Sequence, residues 1–313
     1  MAGSDGEWQH VVRWRGRAAR AVPRCAREPR DLGDAGKSLA DSTRARERLK
    51  EAMAELTCED LWRSWKEVLT SRLLAGPRVP DTDEQEARCV CECVCYGLGS
   101  FLSSVSSRYQ LAMLLLLLEA LKVSRFADVL IPPGRCSIFD PVFSAAECDV
   151  LRSLGLTVLT ENEEGKRPVS RPTLFYLLHC GTALYNNLLW SNWSPQGLAL
   201  LTIVGNSFQG LQERMVQKDL QRDYSFIAHV RSVCQETPLP CSPRFLDVFN
   251  DTAVVRFPFQ RLATLPPHTW ARAPEPRYLH CSDLEIILRD KERGDGRPVL
   301  HRSPTLPFSG TVV

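Results

Sequence analysis

Residues 89–121, CVCECVCYGLGSFLSSVSSRYQLAMLLLLLEAL, carry the pattern on which the fold depends. Cys89 to Cys95 is a short run rich in Cys and Val, Gly97-Leu98-Gly99-Ser100 interrupts it, and Ser104 to Leu121 is then apolar over a helical length. A strand, a glycine turn and a helix in that order predict the first unit of a layered α/β sheet. The alternation continues with strands at Ser137–Asp140, Leu156–Thr160, Thr173–Leu178 and Leu198–Val204, and helices at Ala145–Leu154 and Ala183–Trp190. Each predicted strand is apolar throughout, as strands covered on both faces are. The expectation is a Rossmann-like α/β domain over 85–264, doubly wound around a mostly parallel sheet, with Asp247–Pro258 as its last strand.

Before this domain, apolar residues recur at helical spacing, at Leu49, Met53 and Leu56 and again at Leu61, Trp65, Val68, Leu69 and Leu73. Two helices are predicted, broken near Thr57, which is suited to cap the second helix with Glu59 and Asp60 in its first turn. With a Gly- and Pro-rich linker from Gly76 to Asp83 they make a helical extension over 41–84. Residues 1–40 show no apolar period and read as a disordered basic arm. Gly36-Lys37-Ser38 lacks the glycine that a phosphate loop needs five positions earlier, since Asp31 stands there. From Leu265 the chain becomes a Pro-rich C-terminal extension, 265–313, with one short helix expected at Leu284–Leu288 and a mobile tail from Arg289.

The 313 residues carry 39 Lys+Arg against 37 Asp+Glu, and 44% are hydrophobic. That apolar content can build a core, which excludes a wholly disordered chain, and 12 cysteines are too few for a disulfide scaffold. Residues 1–50 hold 12 Lys+Arg against 7 Asp+Glu, so the remainder is mildly acidic. Nucleic-acid binding is therefore confined to a weak contribution from the N-terminal arm. The longest apolar run, Leu111–Leu118, falls far short of the roughly 20 residues of a membrane span. No apolar segment near the N-terminus has the form of a secretory signal, so the expected location is the cytoplasm, with the nucleus as a second compartment. The cysteines are then reduced thiols. On a strand, Cys89, Cys91, Cys93 and Cys95 share one face over about 20 Å, too long a line for one tetrahedral zinc, and they read as small core residues.

In a doubly wound sheet, ligands bind beyond the carboxyl ends of the strands where the strand order reverses. The residues that follow each predicted strand are therefore the candidates: Gly97, Gly99 and Ser100, then Asp140, then Glu161 and Asn162, then His179 and Cys180, then Gly205, Asn206 and Ser207. Gly97 and Gly99 permit a turn whose backbone can approach a phosphate or an adenosine at a helix N-terminus. Leu102 stands where a third fingerprint glycine belongs, and Asp140 lies farther on than a ribose-binding acid usually does. Asp140 suits a ribose hydroxyl or a base, or caps the turn at Pro141. His179 and Cys180 suit a metal or haem iron, an acid or a nucleophile, or a buried pair, and strand alternation sends their side chains to opposite faces. Asn187, with Asn186 and Asn192, lines the site or caps and turns.

Five segments resemble one known family in order and spacing: Gly97-Leu98-Gly99-Ser100-Phe101, Phe139-Asp140-Pro141-Val142-Phe143, TLFYLLHC at 173–180, LYNNLLWSNW at 184–193, and Gly205-Asn206-Ser207-Phe208. Together they look like the sensitivity-to-red-light-reduced (SRR-like) domain, over about 88–260. Leu178 departs from the pattern, in which many members carry Pro before the His-Cys pair. The resemblance implies a regulatory protein linked to circadian-clock gene expression and, in animals, to regulation of haem biosynthesis, acting through a small-molecule ligand or protein partners, with no established reaction. The competing expectation is a Rossmann-type enzyme that binds S-adenosylmethionine or another adenine-containing nucleotide, with Gly97 and Gly99 at the cofactor and Asp140 on its ribose. Haem held by His179 or Cys180 is the other candidate cofactor.

Overall fold

The computed structural model describes residues 32–74, 92–123, 133–271, 273–279, 281 and 286–288. Helices α1 (Leu32–Cys58) and α2 (Asp60–Leu74) precede seven strands: β1 (Glu92–Tyr96), β2 (Cys136–Phe139), β3 (Thr157–Val158), β4 (Thr173–Leu177), β5 (Leu201–Asn206), β6 (Gln235–Pro238) and β7 (Thr252–Arg256). Between the strands lie α3 (Val105–Val123), α4 (Ala145–Ser153), α5 (Thr182–Ser191), α6 (Pro195–Ala199), α7 (Phe208–Glu213), α8 (Gln217–Asp223), α9 (Ser225–Val230) and α10 (Leu246–Phe249), with α11 (Phe259–Leu262) after β7. The strands form one sheet in the order β3-β2-β1-β4-β5-β7-β6. The first five run parallel, and β7 pairs antiparallel with both β5 and β6. The protein is thus a mixed α/β structure with a mostly parallel sheet, as the strand and helix alternation predicts.

Period-two alternation sends the side chains of β1 into two separate cores. Cys93 and Cys95 enter one with α1 to α4 and α10, whereas Val94 and Tyr96 enter the other with α5 to α9 and α11. Covered on both sides, β4 is buried at all its positions. Cys93 lies opposite Cys136 in the register, and its thiol is held protonated by the hydrogen bond to Cys136 and by burial; burial does the same for Cys95. Cys89 and Cys91 lie outside the described residues. Trp65 of α2 is fully buried, sits 5.0 Å from the Phe249 ring and donates its indole N–H to the Pro240 carbonyl at 2.7 Å. The two N-terminal helices therefore share the first core.

The structure departs from the residue pattern at several elements. Leu198 and Ala199 belong to α6 and not to a strand, because Ser194 accepts the Gly197 N–H at 2.9 Å and Pro195 pre-sets the first turn; β5 starts only at Leu201. The segment from Asp247 begins as helix α10, turns through Asp251 in the left-handed region (φ 51°), and becomes strand only at Thr252. Its partner β6 reads Gln-Glu-Thr-Pro, an edge strand without apolar alternation, and so left no signal. Thr57 is not a cap: it lies inside α1 and donates its hydroxyl to the Ala54 carbonyl at 2.8 Å, and α2 starts at Asp60. Helix α1 reaches back to Leu32, so Gly36-Lys37-Ser38 is helical, while the arm at 1–31 lies outside the described residues. Ile286–Leu288 are not helical; the rest of the expected terminal helix and the tail lie outside the described residues. Among the described residues no helix is long and apolar enough to cross a membrane.

Candidate functional site

From β1 the chain winds outward to β2 and β3, then returns to place β4 and β5 on the other side, so the strand order reverses between β1 and β4. At the carboxyl ends there, a cavity of about 340 Å³ is bordered by Tyr96, Gly97, Asp140, Glu163, Glu164 and His179. Gly97 adopts φ 66°, and a Cβ on it would stand 2.6 Å from the Cys180 sulfur, so a side chain is excluded twice over. The Gly99 N–H donates to Asp140 Oδ2 at 2.7 Å and the Val142 N–H to Oδ1 at 2.9 Å. Burial nonetheless raises the Asp140 carboxyl above its ordinary pKa, outweighing those two donors.

The turn is anchored from beneath by Glu147, 1% exposed, which the sequence reading passed over. Its carboxylate accepts the Ser100 hydroxyl at 2.8 Å, the Leu102 N–H at 3.1 Å, and the Ser144 N–H and hydroxyl at 2.8 and 2.9 Å. Burial pushes this carboxyl up, but the donors together hold it below its ordinary value. The Ser144-x-x-Glu147 capping box of α4 was a legible signal for it. Ser100 consequently faces Glu147 and does not border the cavity. The expected phosphate cradle does not form either. Phe101 to Ser104 separate the glycine turn from α3, and the Gly99 N–H is already taken by Asp140.

His179 stands in the left-handed region at φ 53°, a strain of about 1–3 kcal/mol that its surroundings must over-determine. Asn206 does this: its Oδ1 accepts the His179 N–H at 2.8 Å, its Nδ2 donates to the Cys180 carbonyl at 3.0 Å, and its own N–H donates to the Tyr185 oxygen at 2.9 Å. The turn overrides strand alternation. His179 and Cys180 lie beyond the end of β4, and both border the first cavity and also a second of about 570 Å³, shared with Thr182, Asn206, Arg214 and Asp251. The Cys180 thiol is 7% exposed and donates to the Tyr96 carbonyl at 3.3 Å, so it does not fit an outward axial ligand of haem. The exposed His179 ring holds Nε2 3.3 Å from the Asn250 carbonyl. A carbonyl only accepts, so Nε2 is the donor in this contact.

Glu161 is exposed and does not border the cavity; the loop delivers Glu163 and Glu164 instead. The Tyr96 hydroxyl donates to Glu163, which also accepts Arg167 Nη1 at 3.0 Å, and burial together with Glu163 raises the phenol well above its ordinary pKa. Gly165, at φ 75°, presses the loop onto α5, where a Cβ would lie 2.7 Å from the Leu184 carbonyl. Asn187 is scaffold and does not border either cavity: its Nδ2 donates to the Glu164 carbonyl at 2.8 Å and its Oδ1 accepts the Tyr278 hydroxyl at 2.6 Å. Ser207 caps α7 by accepting the Gly210 N–H at 2.8 Å. From the C-terminal extension, Ile286 and Ile287 also border the first cavity, and Asn162 Nδ2 donates to the Ile287 carbonyl at 2.6 Å. Nothing in the local pattern of either segment announces these positions, since they depend on contacts between distant parts of the chain.

A family model described as the SRR1 domain matches residues 53–256. The chain is 42% identical over 245 residues to an SRR1-like protein of Mus musculus, covering 71% of this chain and 93% of that one. It is 32% identical over 220 residues to Protein SENSITIVITY TO RED LIGHT REDUCED 1 of Arabidopsis thaliana, covering 68% and 76% respectively. It is 31% identical over 169 residues to an SRR1-like protein of Drosophila melanogaster, covering 54% and 56%. No solved structure matches it.

Proposed function

The chain belongs to the SRR1 domain family, and from that premise we propose that it is a regulatory protein, acting in light- or clock-controlled gene expression and in haem biosynthesis through a ligand held at the β1–β4 edge of its sheet. The name of the Arabidopsis relative supports the light-linked role. The strand order, with its reversal between β1 and β4, supports a doubly wound, Rossmann-like sheet whose ligand lies at that point. A cytoplasmic or nuclear location belongs to the same reading and is checked by cell fractionation.

One observation carries the ligand class. Among the described residues the cavity is bordered by Asp140, Glu163 and Glu164 and by no Lys or Arg, with Arg167 and Lys166 pairing with the two glutamates and Asp140 in no ion pair. Phosphates of ATP or a dinucleotide would face those acids, whereas a phosphate-free adenine nucleoside would not. S-adenosylmethionine suits the site best: the sulfonium and ammonium are cations, and Asp140, with two of its four lone-pair sites used by backbone N–H groups, still accepts ribose hydroxyls. Calorimetry with S-adenosylmethionine, ATP and NAD tests this. We expect binding of the first alone, and a protein that takes up none of them at millimolar concentration refutes the ligand reading. Cells lacking the protein test the regulatory reading, which fails if haem content and clock-transcript rhythms stay normal.

A second reading, group transfer, is favoured by the adjoining 570 Å³ cavity and by His179 on the shared wall. There the methyl group passes from the sulfonium to an acceptor nitrogen or oxygen. The electron pair of the broken C–S bond remains on sulfur, and the acceptor proton goes to Nδ1. Conversion of S-adenosylmethionine to S-adenosylhomocysteine in the presence of a cell extract, lost in His179→Ala, is the expected result; no conversion rejects this reading.

A further inference from the structure

Away from the sheet edge, a cavity of about 280 Å³ lies between α1 and the turn after β1, bordered by Arg44, Arg48, Arg108, Asp41, Leu102 and Ser103. Arg44 and Arg48 stand one turn apart on α1, flanking the buried Ala45, and Arg108 lies in the first turn of α3. Seven other arginines pair with carboxylates: Arg63, Arg152, Arg167, Arg171, Arg214, Arg222 and Arg244. Among the described residues none of the three around this cavity does so, and Asp41, on the same wall, ion-pairs with none of them. Arg108 is held in place by donating Nη2 to the Leu102 carbonyl at 3.4 Å. Burial, and after it the neighbouring Arg48, lower its pKa, and Tyr109 and Glu51 offset this only in part.

Such an arrangement is electrostatically frustrated as it stands and is relieved by one anion held between the guanidinium forks, whose planar donors match phosphate oxygens. We propose that this cavity is a phosphate-binding site, in which Arg44, Arg48 and Arg108 clamp a phosphate group. The site is independent of the nucleoside reading, because its charge is of the opposite sign and it shares no residue with the sheet-edge cavity.

The test is the thermal midpoint of the full chain in inorganic phosphate, against sodium chloride at matched ionic strength. The expected rise is about 3–6 °C at phosphate tenfold above its Kd. Arg48→Gln removes one of the facing cations, so it should melt higher than the wild type without phosphate and lose at least tenfold in phosphate affinity. Arg44→Gln, on the exposed side of α1, repeats the affinity measurement should Arg48→Gln fail to fold. Phosphoserine binding more tightly than inorganic phosphate assigns the site to a carried phosphoryl group, and the reverse order to the free anion. A response to both no larger than that to chloride, or an undiminished phosphate response in the variants, overturns the proposal.

Discussion

Glu147→Gln probes how the ligand edge is built. The wild-type carboxylate satisfies four donors, two on each oxygen: the Ser100 hydroxyl and Leu102 N–H on one, the Ser144 hydroxyl and N–H on the other. An isosteric amide places an NH₂ where one oxygen was. A serine hydroxyl can rotate and accept from it, but the backbone N–H of Leu102 or Ser144 cannot, and one of the two is left unsatisfied in a site where the side chain is 1% exposed. That orphan costs about 1–3 kcal/mol, and the bonds on the remaining oxygen lose their charge assistance, for a total of about 2–4 kcal/mol. The pH dependence follows from the carboxyl's lowered pKa in the folded state. Its contribution is complete above the unfolded value of about 4.5 and is lost as pH falls through the lower folded value. Glutamine does not titrate, so the gap between the two proteins should be full at pH 7 and shrink in the acid range. Urea denaturation at neutral pH and at a series of acid pH values reads both quantities. A gap at pH 7 under about 0.5 kcal/mol, the size of an ordinary surface substitution, or one that stays constant with pH, refutes the reasoning.

Gly97→Ala combines a positive φ with a Cβ 2.6 Å from the Cys180 sulfur, and should cost about 1–3 kcal/mol in thermal or urea unfolding while abolishing S-adenosylmethionine binding in calorimetry. Asn206→Ala removes both ties on the His179–Cys180 turn; it should lower stability by about 1–3 kcal/mol and speed amide exchange at His179, which previously donated at 2.8 Å. Trp65→Ala empties a fully buried site between α2 and Phe249 and should cost about 3–5 kcal/mol in a single cooperative transition, whereas separate melting of the N-terminal helices would show that 41–84 is an appendage.

Much of the layer order was legible because strands covered on both faces must be apolar at every position. Thr173–Leu177 is the clearest case, and the long helix Val105–Val123 announced itself by its length. Elements with weak or conflicting local signals were lost. The polar edge strand Gln235–Pro238 pairs only because β7 lies beside it, and the helical turn at Pro195–Ala199 was masked by the apolar residues that follow it. At the site, Gly97, Asp140, His179 and Cys180, which follow strands, border one cavity, since carboxyl ends converge in any such sheet. Glu161, Ser100, Asn187 and Ser207 do not border it, and their side chains are exposed, or are committed to Glu147, to Tyr278 and to the cap of α7.

Residue pattern alone therefore reveals the alternation of the apolar strands with the longer helices, the core positions of β1 and the family resemblance, because periodicity and motif spacing are local properties that survive unfolding. Which groups face the ligand edge, and in what electrostatic state, was decided only when the chain closed on itself. The lowered pKa of Glu147, the left-handed His179 and the acid-lined cavity each require partners more than 25 positions away in the chain, from Ser100 to Glu147, from His179 to Asn206, and from Tyr96 to Glu163. Burial then multiplies the worth of each such contact, by removing the water that would otherwise have satisfied the same groups.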